Sequence, residues 1–159
     1  VIAWKLLGLV IVANGAALAG QTLCGSRCAW PLDFGLKLGD GRRLFGDHKT
    51  IRGVTLAMAC TIPAALLLGL PAEIGASIAL AAMAGDAAAS FVKRRLGLAG
   101  GDMAIGLDQL PESLLPLAIV GPAYGLTWTG ILGLSLAFLA FELAASRLLY
   151  RLHLRNHPY

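Results

Sequence analysis

The chain has 159 residues, of which 57% are hydrophobic and 14% charged, with a net charge of +4. A soluble domain of this size carries about 25% charged residues, so this composition, with a mean hydropathy of +0.74, excludes an ordinary water-soluble domain. The apolar surplus is aliphatic and small rather than aromatic, as in helices packed within lipid. The expectation is one all-α integral membrane domain over residues 1–159, with no soluble domain left over and no nucleic acid partner.

A spanning helix takes roughly 20 mostly apolar residues. Five segments meet or approach that length, at about 2–23, 53–70, 74–92, 110–126 and 127–150. The first carries only Lys5 and lacks a charged leader and an A-x-A cleavage site, so it reads as a retained helix rather than a signal peptide. The start at Val1 leaves room for a short missing N-terminal piece. Cys24 and Cys28 lie four apart, but no His or Cys cluster completes a zinc site around them. Pro71, Ala72 and Glu73 form a tight connection between the second and third helices. The fourth segment holds Pro111, Pro116 and Pro122, which predicts a kinked or partly re-entrant helix. Gly125 to Gly130 reads as its turn, placing Trp4 and Trp128 at the same membrane interface.

On this topology the basic residues segregate. Arg27, Lys37, Arg42, Arg43, Lys49 and Arg52 lie between the first two helices. Lys93, Arg94 and Arg95 follow the third, and Arg147, Arg151 and Arg155 follow the fifth. Twelve of the thirteen Lys and Arg residues therefore share one face, and only Lys5 falls on the other. The positive-inside rule makes that face cytoplasmic, with the N-terminus outside and the chain multi-pass in the plasma membrane.

Orientation accounts for the cations but not for the acids among them. Asp33, Asp40, Asp47, Asp102, Asp108 and Glu112 all read as loop residues of the basic face. Asp86 lies inside the third helix, where an ionisable group is expensive and is a functional candidate by default. Asp86, Ser90 and Lys93 share a helical face, and Ala79 and Ala82 continue it as a small-residue stripe that leaves space beside the carboxylate. One reading makes Asp86 an ion-pair partner that holds two helices together. The other makes it a ligand to a hard divalent cation, with Asp108 reaching back as a second carboxylate.

The loop from Pro31 to Gly53 ends in Gly46-Asp47-His48-Lys49-Thr50-Ile51-Arg52-Gly53, directly before the second helix. Lys49 and Arg52 offer point and forked charge to phosphates beside a helix N-terminus, although the spacing is not that of a Walker loop. A solvated basic loop attracted to anionic headgroups is the equal alternative. A carboxylate, a cation cluster at 93–95, a Gly-rich bend and then Leu107-Asp108-Gln109-Leu110-Pro111-Glu112 suit metal-assisted phosphoryl or nucleotidyl transfer.

Two blocks, PLDFGLKLGDGRRLFGDHKTIRG at 31–53 and GDAAASFVKRRLGLAGGDMAIGLDQLPESLLPL at 85–117, resemble the CDP-archaeol synthases, which are membrane CTP-dependent cytidylyltransferases. They are distantly similar to the phosphatidate cytidylyltransferase signature, with Arg52 and Gln109 as departures from it. The resemblance implies transfer of CMP from CTP to an isoprenoid or acyl lipid phosphate, with release of pyrophosphate and dependence on Mg²⁺. It implies that Asp86 and Asp108 hold the metal. Lys49, Thr50, Arg52 and Asp47 would belong to the nucleotide phosphate site, with Lys93 and Arg94 at the reacting phosphates. A direct in-line attack needs no protein nucleophile, in keeping with the lack of a Ser/His or Cys/His constellation. His48 reads as a solvated loop residue and His153 and His157 as parts of a basic tail.

Rival readings are a CTP-dependent polyprenol kinase and a small transporter or scaffold built on Asp86, Asn14 and Glu142. A CDP-alcohol phosphotransferase is disfavoured, because Asp40-Gly41-Arg42-Arg43 imitates only the opening of its motif. Asn14 and Glu142 read as interhelical hydrogen-bond partners. Gly75, Ala79 and Ala82 would permit a homodimer.

Overall fold

The computed structural model describes residues 1–98 and 104–151. Among these, α1 spans Ile2–Cys24, α2 Ile51–Leu67, α3 Ala72–Arg95, α4 Gln109–Val120 and α5 Trp128–Arg151. A 3₁₀ turn, Gly121–Tyr124, separates α4 from α5. The described residues include isolated bridges, Pro31 with Thr50 and Lys37 with Arg43, but no strands. Asp102, Arg155, His153 and His157 lie outside the described residues.

Three segments, Ile2–Cys24, Ala72–Arg95 and Trp128–Leu148, are long and apolar enough to cross a membrane. The other two depart from full-length spans. α2 has 17 residues and begins at Ile51, because the Thr50 hydroxyl accepts the Gly53 amide at 3.1 Å and caps it there. α4 has only 12 residues, against the 110–126 expected. Pro116 fits within it, but Pro122 has no amide to donate, and the chain tightens into the 3₁₀ turn before Gly125 reverses it at φ 76°. Thr127 then accepts the Gly130 amide at 3.2 Å and starts α5. Trp4 and Trp128, both mostly exposed, mark the same end of the bundle.

The interior changes character along the bundle. Near the Trp4 end, Leu6, Leu9 and Val10 pack with Ile78, Leu117, Ile131 and Phe138 in a large-residue core. Next comes a layer of Ala13, Ala57, Ala79, Ala82 and Met83. Small side chains let α3 approach its neighbours closely. A Cβ on Gly75 would lie 2.8 Å from Ile62 Cα, and one on Gly85 would lie 2.2 Å from the Pro111 carbonyl oxygen. Ala79 and Ala82 are fully buried against α1 and α2. The stripe is therefore spent on internal packing against α1 and α2 and is not open to a second copy of the chain.

Beyond the alanine layer the bundle ends in charge. Three of its cations close helix C-termini, whose last carbonyls lack intrahelical partners. Arg52 donates to the Gly25 carbonyl at 3.0 Å and to that of Arg27, below α1. Arg42 donates to the carbonyls of Arg94 and Arg95, at 3.1 and 2.8 Å, at the end of α3. Lys5 does the same at the opposite end of the molecule, meeting the Leu68 carbonyl beyond α2 at 2.6 Å.

Candidate active site

The loop between α1 and α2 is built around a buried acid. The Asp33 carboxylate accepts the amides of Gly35, Phe45 and Gly46 at 3.1, 3.1 and 3.0 Å. It also takes two bonds from Arg43, at 3.2 and 2.5 Å. The Arg43 guanidinium and these amides outweigh the cost of burial and hold the carboxyl well below the usual carboxylate range. Asp33 in turn pushes the Arg43 pKa above its ordinary value. The loop ends run side by side, with Leu32 donating to the Lys49 carbonyl at 2.7 Å and Ile51 to that of Trp30 at 3.0 Å. This fixes Lys49 at the mouth of the bundle.

Lys49 meets Asp86 at 2.5 Å, and both side chains are about three-quarters buried. Two turns further along α3, Lys93 meets Asp108 at 2.7 Å, with the lysine more deeply covered. The second Asp108 oxygen accepts the Ala104 amide at 3.0 Å. The ion pair foreseen for Asp86 is thus present, and its partner comes from the loop. Gly85 lets this arrangement form: lacking a side chain, it allows Pro111 and Glu112 to press against α3, bringing the start of α4 beside Asp86.

The remaining predicted residues divide. Arg94 and Asp47 line a cavity of about 460 Å³ together with Arg42, Arg43, His48 and Gly97. Its lining includes the chain neighbours of both paired lysines, His48 before Lys49 and Arg94 after Lys93. Asp47 is largely exposed and is paired with Arg43 at 2.7 Å. Thr50 is buried and occupied as the α2 cap, and Arg52 is turned to the carbonyls below α1 rather than toward the cavity. No three carboxylate, imidazole or thiolate groups converge as a metal cluster among the described residues. Cys24, Cys28 and Cys60 are free and exposed.

Two features escaped the sequence reading. Glu112, a loop residue by its place in the sequence, lies in the first turn of α4, buried, hydrogen-bonded to Glu142 of α5 and within electrostatic reach of Asp86 and Lys49. Its position four residues after Asp108, at the head of a helix, is the signal that could have placed it. Glu142 does serve as an interhelical partner. Asn14 does not: its amide donates to the Val10 carbonyl of its own helix at 3.1 Å. The second feature is the Asp33–Arg43 hub, which no spacing in the loop announces.

The family model for CDP-archaeol synthase matches residues 2–79 and 72–159, which include both charged blocks. The chain belongs to the CDP-archaeol synthase family. It is 40% identical to the CDP-archaeol synthase of Aeropyrum pernix, covering 98% of this chain and 93% of that protein. The corresponding enzyme of Methanopyrus kandleri is 38% identical, over 98% and 91% of the two chains. That of Saccharolobus islandicus is 34% identical over 99% of each. A solved structure described as an intramembrane enzyme for archaeal membrane lipids biosynthesis superposes with a TM-score of 0.69 at 41% identity, covering 86% of this chain and 90% of its own. The all-α bundle, its membrane location and the family agree, so the two Lys–Asp pairs sit within a CDP-archaeol synthase fold.

Proposed function

We propose that this chain transfers CMP from CTP to the phosphate of a membrane lipid, giving a CDP-lipid and pyrophosphate. The observation that carries the reading is the pair of Lys–Asp bridges at the bundle mouth, beside a cavity lined by arginines. A nucleoside triphosphate needs cations close to its phosphates, and a lipid phosphate needs them at the depth of the headgroups. The site supplies both. Because the relatives are named for archaeol, an ether-linked isoprenoid phosphate is the proposed acceptor.

An oxygen of the lipid phosphate attacks the α-phosphorus of CTP in line. The bond from that phosphorus to the β-phosphate bridge breaks, and its electron pair leaves with pyrophosphate. No protein nucleophile takes part; the chain positions the reactants and neutralises developing charge. The Lys49 and Lys93 ammonium groups each have three donors, so each can meet a phosphate oxygen while keeping its carboxylate partner, and no buried charge is stranded on binding. Arg94, with Arg42 and His48 around the cavity, faces the polyphosphate.

The donor set fits Mg²⁺. Asp86 and Asp108 are hard oxygen donors with lone pairs beyond those given to Lys49, Lys93 and the Ala104 amide. Two carboxylates with phosphate oxygens and water are a usual Mg²⁺ environment, so the lack of a third acid at the site is no obstacle. When bound, the ion would polarise phosphate oxygens and offset charge on the leaving group. In this reading the basic face is cytoplasmic, where CTP is found, and the N-terminus is outside.

Purified protein given labelled CTP, Mg²⁺ and a panel of lipid phosphates should form labelled CDP-lipid and pyrophosphate. Formation of CDP and a newly phosphorylated alcohol would instead mean a kinase. Asp86→Asn and Asp108→Asn should each lower turnover by about 100-fold or more, with membrane insertion unchanged. Near-normal turnover in either variant would remove that residue from the site.

A further inference from the structure

The loop between α1 and α2 is polar inside and apolar outside. Its interior is the Asp33–Arg43 hub, with the Asp33 side chain fully covered. Its exterior carries Trp30, Phe34 and Leu36, exposed by 66%, 80% and 55%, and Leu38 beside them. Residues opposed across a bridge project to one side of a ribbon, and their neighbours to the other. Lys37 is bridged to Arg43, which turns inward to Asp33, so Leu36 and Leu38 face outward. Phe34 adopts a left-handed backbone at φ 47°, unusual for a bulky residue, within a turn that Asp33 fixes. The hub thus holds four large apolar side chains away from the protein interior.

From this inversion we infer that the ribbon from Trp30 to Leu38 docks into the headgroup–acyl boundary of the membrane the helices cross, on the basic face. Continuity with the bundle favours this occupant. Trp30 is hydrogen-bonded to Ile51, the first residue of α2, so the base of the ribbon is held at the depth where α2 enters the apolar layer. An indole there belongs to the interfacial belt. Arg27, which precedes Trp30, is exposed at the base of the ribbon, where it complements anionic headgroups while the rings and leucines enter the boundary. The docking does not depend on the cytidylyl transfer reading. Its consequence for that site is positional: Lys49, bonded through its backbone to Leu32, is held at headgroup depth.

The test uses full-length protein with Cys24, Cys28 and Cys60 replaced by serine, reconstituted into vesicles of phosphatidylcholine and phosphatidylglycerol. Nitroxide labels at Phe34→Cys, Leu36→Cys and Leu38→Cys should collide more with oxygen than with a nickel chelate, by about tenfold relative to a label at Asp47→Cys. Equal nickel access at all four positions would overturn the inference. So would shielding from both reagents with spin–spin broadening, which would mean that a second copy covers the ribbon. Should the labelled variants fail to fold, Trp4→Phe with Trp128→Phe leaves Trp30 as the sole tryptophan. Its fluorescence should be quenched most by lipids brominated near the headgroup, and an absence of quenching would refute docking.

Discussion

Five donors converge on Asp33, more than on any catalytic candidate, and its role is to hold a loop rather than to react. Removing one partner of a covered ion pair strands the other, so Asp33→Asn should cost about 3 kcal/mol in loop stability, read by hydrogen exchange at Phe45 and Gly46. The pH dependence follows from the sign of the shift. The folded carboxyl is held below its unfolded value of about 3.9, so its contribution is complete above that pH. It is lost as pH falls toward the depressed folded value. Protection at Phe45 should therefore be level from neutrality to about pH 5 and decline only in stronger acid, and Asp33→Asn should abolish that acid limb. Lys5 offers a contrast at the same scale. Its bond to Leu68 closes a helix end remote from the site, so Lys5→Met should cost about 1 kcal/mol of thermal stability and leave cytidylyl transfer unchanged.

Among the elements, α3 organises the molecule. It presents Gly75 to α2, Gly85 to α4, Asp86 to the loop and Lys93 to Asp108. A methyl group on Gly85 would meet backbone atoms of Pro111 and Glu112, which cannot rotate away as a side chain could. Gly85→Ala should therefore displace α4, cost about 3 kcal/mol and reduce turnover, whereas Gly8→Ala, with open space around it, should do neither. Thermal unfolding in detergent and the labelled-CTP assay together check this. The shortness of α4 belongs at this scale too. Its hydropathy suggested a span, but Pro122 and Gly125 break it before it reaches that length.

For the whole molecule, charge is sorted to one end, and the functional reading requires that end to face CTP. Cys24 and Cys28 are exposed at that end, so an impermeant thiol reagent should modify them in inverted membrane vesicles and spare them in intact cells. The reverse pattern would place the basic face outside and remove the proposed access to nucleotide. The same sorting explains how a bundle with so few polar residues can hold a charged site. Large apolar side chains fill the far half and alanines the middle, so the paired ions of the site gather beyond the alanine layer.

The membrane class, the approximate helix positions, the segregation of cations and the two blocks that carry the resemblance are all legible in the order of the residues. Hydropathy and charge are local properties, readable one residue at a time. The partnerships across the bundle arise only from packing. Lys49 and Asp86 are 37 positions apart, and only the crossing of α3 with the closed loop makes them a pair. Arg52 stands three positions from Lys49 in sequence but is drawn off to the end of α1, 27 positions away. Glu112 leaves the loop for a buried helix turn because Gly85 lets α4 approach. Local pattern could show which residues carry charge, but which charges meet depends on long-range packing.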